Sequence, residues 1–239
     1  VNAMLDRIER LMHEVKGVCD NIAHDLRTPL TRLRAQLYRM QQQAGEGSAE
    51  ATQLDSVLAE ADTLMARFRG LLRISELEDR QRRSGFVQLD PVPLLQELHD
   101  FYLPLAEEGG VILTLATEDS LPPVLGDRAL LFEALANLLS NSIKFTPPGG
   151  KVLLSAKADG DSTCIEVQDA GPGIPETERK MVFQRFYRSE DGNQQAGFGL
   201  GLSIVAAIVN LHGFTLHIGT SELGGAKLSL ECRQTVAVV

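Results

Sequence analysis

Two apolar stripes in the first 80 residues constrain the fold of this chain more than any other feature of its sequence. In each stripe the apolar residues recur at steps of three and four, which is the spacing of one face of an α-helix. The first stripe comprises Leu11, Val15, Val18, Ile22, Leu26, Leu30, Leu33, Leu37 and Met40. The second comprises Leu54, Val57, Ala61, Leu64, Phe68 and Leu71. Gly45 and Gly47 interrupt the pattern between them, so the sequence predicts an antiparallel helical hairpin.

A lone hairpin of this kind buries only one side of each helix. Two copies packed side by side would form a four-helix bundle, in which both stripes lie in a common core. We therefore expect a homodimer, assembled through an N-terminal hairpin domain over residues 1–80.

The pattern changes after a polar linker at residues 81–85. Beyond it, short strand-like runs alternate with longer helical stripes. Strands are predicted at 86–89, 111–116, 151–158, 162–169, 214–220 and 226–233, and helices at 91–108, 127–145 and 200–212. Hairpin-connected strands mixed with helices are typical of an α+β sandwich. We expect residues 86–239 to form a mixed, largely antiparallel sheet that is covered by helices on one face.

Composition limits what this second domain can bind. The chain of 239 residues is 44% apolar and carries a formal net charge of −9, which argues against both intrinsic disorder and a nucleic-acid-binding surface. An anionic ligand must therefore be held locally, by placed cations, backbone N–H groups or a metal ion. The three cysteines have no close spacing, so they support neither a disulfide framework nor a zinc site and favour a reducing compartment.

Asp169 is the first candidate ligand-binding residue. By the two-residue period of a strand it shares the inward face with Ile165 and Val167. A buried carboxylate is unfavourable unless a donor bonds to it. Gly171 and Gly173 follow directly and would let a ligand approach the backbone closely. The alternative is that Asp169 only caps a turn at the end of the strand.

The helix at 127–145 supplies a second group of candidates. Glu133, Asn137, Asn141 and Lys144 recur on one of its faces. An Asn carbonyl oxygen suits Mg²⁺, and a lysine suits a phosphate. The alternative is an ordinary solvated face.

Three glycines near the start of the helix at 200–212 form the third group. Gly197, Gly199 and Gly201 would present free N–H groups to an anion. Their spacing fits neither the dinucleotide-binding fingerprint nor the Walker loop, so this signal is weak when taken alone.

In chain order these groups form four motifs. They read Asn137-Leu-Leu-Ser-Asn141-Ser-Ile-Lys144-Phe145-Thr146, Asp169-Ala-Gly171-Pro-Gly173-Ile174-Pro, Val182-Phe183-Gln-Arg185-Phe186-Tyr187-Arg188, and Gly197-Phe-Gly199-Leu200-Gly201. This series resembles the N, first glycine, F and second glycine boxes of the catalytic ATP-binding domain of sensor histidine kinases. The resemblance covers about residues 86–235 and implies the ATP-binding fold shared with gyrase, Hsp90 and MutL.

The resemblance implies ATP and Mg²⁺ as ligands. Asn141 would help to hold Mg²⁺, and Asp169 would accept a hydrogen bond from the adenine amino group. Residues 187–197 would form a mobile ATP lid, bordered by Arg185 and Arg188, which could reach the phosphates. The nucleotide-binding set implied in this way is Asn137, Asn141, Lys144, Phe145, Asp169, Gly171, Gly173, Ile174, Arg185, Arg188, Gly197, Gly199, Leu200 and Gly201.

His24 is the candidate for chemistry in the first domain. It points away from the apolar stripe, and Pro29 should bend the helix nearby. Taken alone, these residues describe an exposed histidine near a helix bend. The pattern His24-Asp25-Leu-Arg-Thr28-Pro29 resembles the H box of the dimerisation and histidine-phosphotransfer domain of the same kinases. His24 would then be the phosphoacceptor, Asp25 would orient its ring, and Thr28 would help to position water for dephosphorylation of a partner.

The implied reaction is phosphorylation of His24 by ATP, followed by transfer to an aspartate in the receiver domain of a cognate response regulator. Residues 1–10 resemble the end of a HAMP signalling helix. We therefore expect the cytoplasmic portion of an inner-membrane sensor, attached to the membrane only through N-terminal segments that this sequence lacks. Two alternatives stay open: an ATP-driven conformational machine of the gyrase and Hsp90 type, and a non-catalytic scaffold.

Overall fold

The computed structural model describes residues 29, 31–44, 48–77, 85–118, 120–188 and 199–233. The chain divides into two compact units, Val1–Glu76 and Leu77–Val239.

In the part of the first unit that the structure describes, two helices run antiparallel. Helix α1 covers the described residues 31–43, and helix α2 covers Ala49–Leu77. The Ser48 side chain begins α2 by accepting the Ala51 N–H at 3.1 Å. Side-chain contacts between the helices join Arg34 to Asp62 at 2.6 Å and Gln41 to Asp55. Because the later residue of α1 meets the earlier residue of α2, the chain reverses direction between them. The four-helix bundle of a dimer stays a prediction.

The second unit is built on a five-stranded sheet in the order β2-β4-β5-β7-β6. Its strands are β2 (Ile112–Thr117), β4 (Lys151–Asp159), β5 (Ser162–Asp169), β6 (Thr215–Thr220) and β7 (Ala226–Cys232). Strands β2 and β4 are parallel, and the other neighbours are antiparallel. The predicted mixed, largely antiparallel sheet is therefore confirmed. A separate two-stranded sheet joins β1 (Val87–Leu89) to β3 (Val124–Gly126).

Three helices pack against the five-stranded sheet: α3 (Pro91–Glu108), α4 (Arg128–Phe145) and α5 (Gly201–His212). The Asp90 and Asp127 side chains cap α3 and α4, as expected of carboxylates that accept first-turn N–H groups. Gly213 ends α5 with a φ of 74°, a left-handed conformation that favours glycine.

The core lies between these helices and one face of the sheet. Val152 and Leu154 of β4 and Val167 of β5 are fully buried there, together with leucines from the three helices. Register places Asp169 on the same face, opposite Val152. The fold therefore places the Asp169 carboxylate at the edge of an apolar core, beside the C-terminal part of α4.

The other face of the sheet is less solvated than the sequence suggests. Every residue of β5 is buried, including Glu166 and Gln168, which point away from the helices. Their neighbours from β7 cover them: Lys227 lies 2.8 Å from the Glu166 carboxylate, and Ser229 donates to it at 3.2 Å.

In the part of the chain that the structure describes, no helix combines the length and the apolarity needed to cross a bilayer.

Candidate functional site

The Asp169 carboxylate is the centre of the candidate site. It is 4% exposed at the end of β5. Its Oδ1 accepts the N–H groups of Gly171 at 3.0 Å and Ala226 at 2.9 Å, and its Oδ2 accepts the Ser142 hydroxyl at 3.1 Å. A carboxylate offers about four lone-pair positions, so these three donors leave one acceptor position, on Oδ2.

Glycines surround this carboxylate because no side chain would fit. A Cβ on Gly171 would lie 2.9 Å from the Phe145 carbonyl oxygen. A Cβ on Gly225 would overlap Asp169 Oδ1, and the Gly225 N–H donates to the Asp169 carbonyl at 3.0 Å. Gly173 has a φ of 76°, where an L side chain is strained. Sequence reasoning found Gly171 and Gly173 but missed Gly225, whose signal was the Gly224-Gly225 pair between two predicted strands.

The two asparagines of α4 lie against the start of α5. A Cβ on Gly201 would lie 3.1 Å from Asn137 Oδ1 and 3.6 Å from Asn141 Nδ2. The Asn137 amide nitrogen donates back to the Glu133 carbonyl at 2.8 Å, which turns its oxygen toward Gly201. The structure therefore brings together two groups that are about 60 residues apart in the sequence, as expected of parts of one site.

The start of α5 suits an anion. Its N-cap position is Leu200, which has no side-chain acceptor, whereas α3 and α4 have aspartates there. The N–H groups of the first helical turn have no partner within the helix, and an uncapped terminus directs them at a ligand. Ser203 donates its hydroxyl to the Leu200 carbonyl at 2.8 Å and so does not cap the turn.

Gly199 lies just before this turn, with a φ of 68°. Its carbonyl accepts the N–H of Phe186 at 2.9 Å, and Phe186 itself has a φ of 66°. A Cβ on Gly199 would lie 2.6 Å from the Tyr187 carbonyl oxygen. The F motif and the second glycine motif therefore meet at this point, and only a glycine allows the contact.

Two cations face the same region. Burial lowers the pKa of Lys144, and the charge of Arg188 lowers it further. The Lys144 ammonium lies 4.9 Å from the centre of the Phe145 ring. The two positive charges repel each other, and an anion bound between them would relieve this repulsion. Arg185 is exposed on the same segment as Arg188.

Ile174 packs against the core. Its carbonyl accepts a hydrogen bond from Arg179, a residue that the sequence did not single out. Arg179 donates to the Ile174 carbonyl at 3.3 Å and to the Thr220 hydroxyl at 3.2 Å. This fixes the loop after Gly173 to strand β6. Nothing in the local sequence pattern pointed to that contact.

Four predicted site residues lie outside the described residues: His24, Asp25, Thr28 and Gly197. Their roles stay predictions.

The donor side chains of the site determine which metal ion it could hold. Among the described residues no group of three or more His, Cys, Asp or Glu side chains could hold a metal ion. The residues present nevertheless fit a Mg²⁺ site, because this ion takes few protein ligands and completes its coordination shell with water and substrate phosphates. The Asn141 amide, beside the uncapped start of α5, is suited to that arrangement.

Comparison with known proteins identifies the class of this fold. Residues 126–236 match the family described as histidine kinase-, DNA gyrase B- and HSP90-like ATPase. The ATP-binding domain of PrrB from Mycobacterium tuberculosis is 30% identical, with a TM-score of 0.50 over 62% of this chain and 96% of that one.

Longer matches extend beyond this domain. Full-length ShkA, solved in complex with AMPPNP, is 26% identical, with a TM-score of 0.70 over 90% of this chain and 45% of ShkA. The kinase/phosphatase MprB of Mycobacterium tuberculosis (strain ATCC 25177 / H37Ra) is 32% identical over 226 residues, 94% of this chain and 45% of MprB. These matches support a sensor histidine kinase with a catalytic ATP-binding domain. The chain spans about half the length, or less, of the curated relatives that it matches.

Proposed function

We propose that this chain binds Mg-ATP at the Asp169 site and transfers the γ-phosphoryl group to His24. One observation supports this most directly. A buried carboxylate with a single acceptor position left lies in the same unit as two asparagines that pack against an uncapped helix start. Adenine offers the amino donor that the carboxylate lacks, and the phosphates offer the anion that the helix start lacks.

Each residue has a role in this arrangement. Asp169 accepts from the adenine amino group, with Gly171, Gly173 and Ile174 forming the wall beside the base. Asn141 would hold Mg²⁺, and Asn137 lies on the same face of α4. When bound there, Mg²⁺ would supply positive charge that neutralises the charge developing on the phosphate oxygens. Further residues are assigned to the triphosphate: Lys144, Phe145, Arg185, Arg188, Gly197, Gly199, Leu200 and Gly201.

His24 acts as the nucleophile. A neutral imidazole has one nitrogen with a free lone pair, while the other carries the proton. The free nitrogen forms a bond to the γ-phosphorus as the bond to the ADP oxygen breaks. Asp25 accepts the proton of the second nitrogen in a hydrogen bond and so stabilises the positive charge on the ring. The products are ADP and phosphohistidine.

The partners follow from the same assignment. Phosphohistidine donates its phosphoryl group to an aspartate in the receiver domain of a response regulator. Thr28 helps to position water for dephosphorylation of that regulator, an activity that the name of MprB also includes. The hairpin forms a homodimer, and the parent protein is a membrane sensor whose cytoplasmic portion is the chain described here. The net charge of −9 speaks against nucleic acid as a further partner.

The test is incubation with γ-labelled ATP and Mg²⁺. Wild type should acquire a label that is labile in acid and stable in alkali, and His24→Ala should abolish it. His13→Ala is the matched control, because His13 is the other histidine of residues 1–80, and it should leave the label intact. A label that survives His24→Ala would overturn the phosphoacceptor assignment. ATP hydrolysis without any label would instead favour a conformational ATPase.

A further inference from the structure

Ser142 makes a contact with Asp169 that the motif analysis did not anticipate. It follows Asn141 on α4, and its hydroxyl donates to Asp169 Oδ2 at 3.1 Å. Ser142 is 3% exposed and Asp169 is 4% exposed. A hydrogen bond from a hydroxyl to a carboxylate is charge-assisted, and burial protects it from competition with water.

The three donors to this carboxylate come from separate parts of the fold. Gly171 follows β5, Ala226 begins β7, and Ser142 lies on α4. The two amides bond the same oxygen, Oδ1, so together they fix the position of that atom. They do not bond Oδ2. The Ser142 hydroxyl is the donor that bonds Oδ2 and so sets the direction of its remaining lone pair.

We propose that Ser142 is a positioning residue that sets the base specificity of this site, an inference that rests on the proposed assignment of Asp169 to adenine. With Ser142 in place, the last lone pair of Oδ2 accepts the exocyclic amino group of adenine. Guanine presents a carbonyl oxygen at the same position of the ring. Two acceptors would then face each other in a buried place, and each would lack a donor.

The experiment measures dissociation constants by calorimetry on the full chain with Mg²⁺. The three ligands are ATP, GTP and purine riboside triphosphate, which is ATP without the amino group. Wild type should bind ATP at least about tenfold more tightly than purine riboside triphosphate. Ser142→Ala should weaken ATP binding by about tenfold and change the affinity for purine riboside triphosphate by less than about twofold. The selectivity therefore collapses, while binding of the amino-free ligand persists.

Two further variants separate orientation from packing. Ser142→Thr keeps the hydroxyl and should restore most of the selectivity for ATP. Ser140→Ala removes a hydroxyl from the same helix, at a position that lines a groove beside Pro147 instead of contacting Asp169, and should match wild type with all three ligands. Thermal unfolding checks that each variant is folded. If Ser142→Ala unfolds, Ser142→Cys, of similar size with a weak donor, should show reduced selectivity.

The outcomes distinguish two kinds of failure. Equal losses for ATP and purine riboside triphosphate in Ser142→Ala would overturn the positioning role and leave only packing. Unchanged selectivity in that variant would overturn it as well. If wild type itself does not distinguish the two ligands, the assignment of Asp169 to the adenine amino group is wrong, and the inference fails with it.

Discussion

Gly225 packs so closely against the Asp169 carboxylate that its Cα atom has room for a hydrogen atom but not for a side chain. A methyl group there would overlap Asp169 Oδ1 and lie 2.5 Å from the Gly171 nitrogen. It would therefore displace the acceptor, one of its donors, or both. We expect Gly225→Ala to weaken ATP binding at least about tenfold and to lower the free energy of unfolding by about 1–3 kcal/mol. Calorimetric titration and urea unfolding measure the two effects.

Gly219→Ala is the matched control for this substitution. Gly219 lies on β6 of the same sheet, and a Cβ there would meet no atom within 4 Å. The control should retain wild-type affinity, because its methyl group does not approach the site. An affinity of Gly225→Ala within twofold of wild type would show that the nucleotide does not depend on this carboxylate.

At the scale of single elements, strand β5 is unusual because both of its faces are buried. Burial by itself raises the pKa of the Glu166 carboxyl, but the hydrogen bond and the charge of Lys227, together with Lys157 and Ser229, outweigh it and leave the pKa below its ordinary value. A carboxyl with a lowered pKa stabilises the folded state above the pKa of the unfolded chain. That contribution is lost as pH falls through the folded-state pKa.

Lys227→Met should therefore destabilise the protein in a pH-dependent way. It leaves the Glu166 carboxylate buried without its cation, at a cost of about 1–3 kcal/mol in the free energy of unfolding at pH 7. Without Lys227, the pKa of the Glu166 carboxyl rises relative to wild type, so the variant takes up this proton at a higher pH. The difference from wild type should then shrink between pH 7 and about pH 4. Urea unfolding across this range measures it.

Lys151→Met provides the comparison. Lys151 is exposed at the start of β4 in the same sheet, so its loss should change the free energy of unfolding by less than about 0.5 kcal/mol at either pH. A cost of Lys227→Met that is the same at both pH values would mean that the ion pair is not its source.

Local sequence signals explain why the helices could be predicted so closely. Asp90 followed by Pro91 marks the start of α3, and the Asp90 side chain accepts the Val92 N–H at 3.0 Å. By contrast, β3 was missed. Its three residues are too few to show a period, and they form a strand because Val87–Leu89, more than 30 residues earlier, pairs with them.

His212 illustrates the same limit at a buried position. Sequence alone gives it the default role of a packing or surface histidine. In the structure its Nδ1–H donates to the Ile208 carbonyl at 2.8 Å, its Nε2 accepts the Asp127 N–H at 3.1 Å, and its ring stacks on Phe86. These contacts identify a packing role, but they join segments up to 126 residues apart, which no local pattern encodes.

Across the whole molecule, motif order predicted which segments form the nucleotide site, but not the contacts that complete it. Asp169 and the asparagines of α4 stand out because polar residues interrupt apolar patterns there. Gly225 and Ser142 do not stand out, because a glycine in a turn and a serine in a helix are ordinary. Their importance arises from β7 and α4 both reaching Asp169, which depends on the tertiary fold.

The apolar stripes of the hairpin make a prediction about assembly. In the single chain Leu33, Val57 and Leu64 are 44–56% exposed, and they line a groove of about 620 Å³. Exposed apolar residues in register along two helices are typical of an interface that a second copy covers. We expect Leu64→Glu to convert the dimer to a monomer, because each copy would bury a carboxylate in the bundle core. Sedimentation velocity measures the change.

Thr52→Glu tests whether a new charge on α2 has the same effect away from the stripe. Thr52 is exposed on that helix and does not share the face of Leu54, Val57 and Leu64, so this variant should remain a dimer. Both variants should bind ATP within twofold of wild type, since the assigned nucleotide residues all belong to the second unit. A Leu64→Glu protein that sediments as a dimer would contradict the bundle. Loss of ATP binding in Leu64→Glu would mean that assembly supports the nucleotide site, because the substitution itself lies in the first unit.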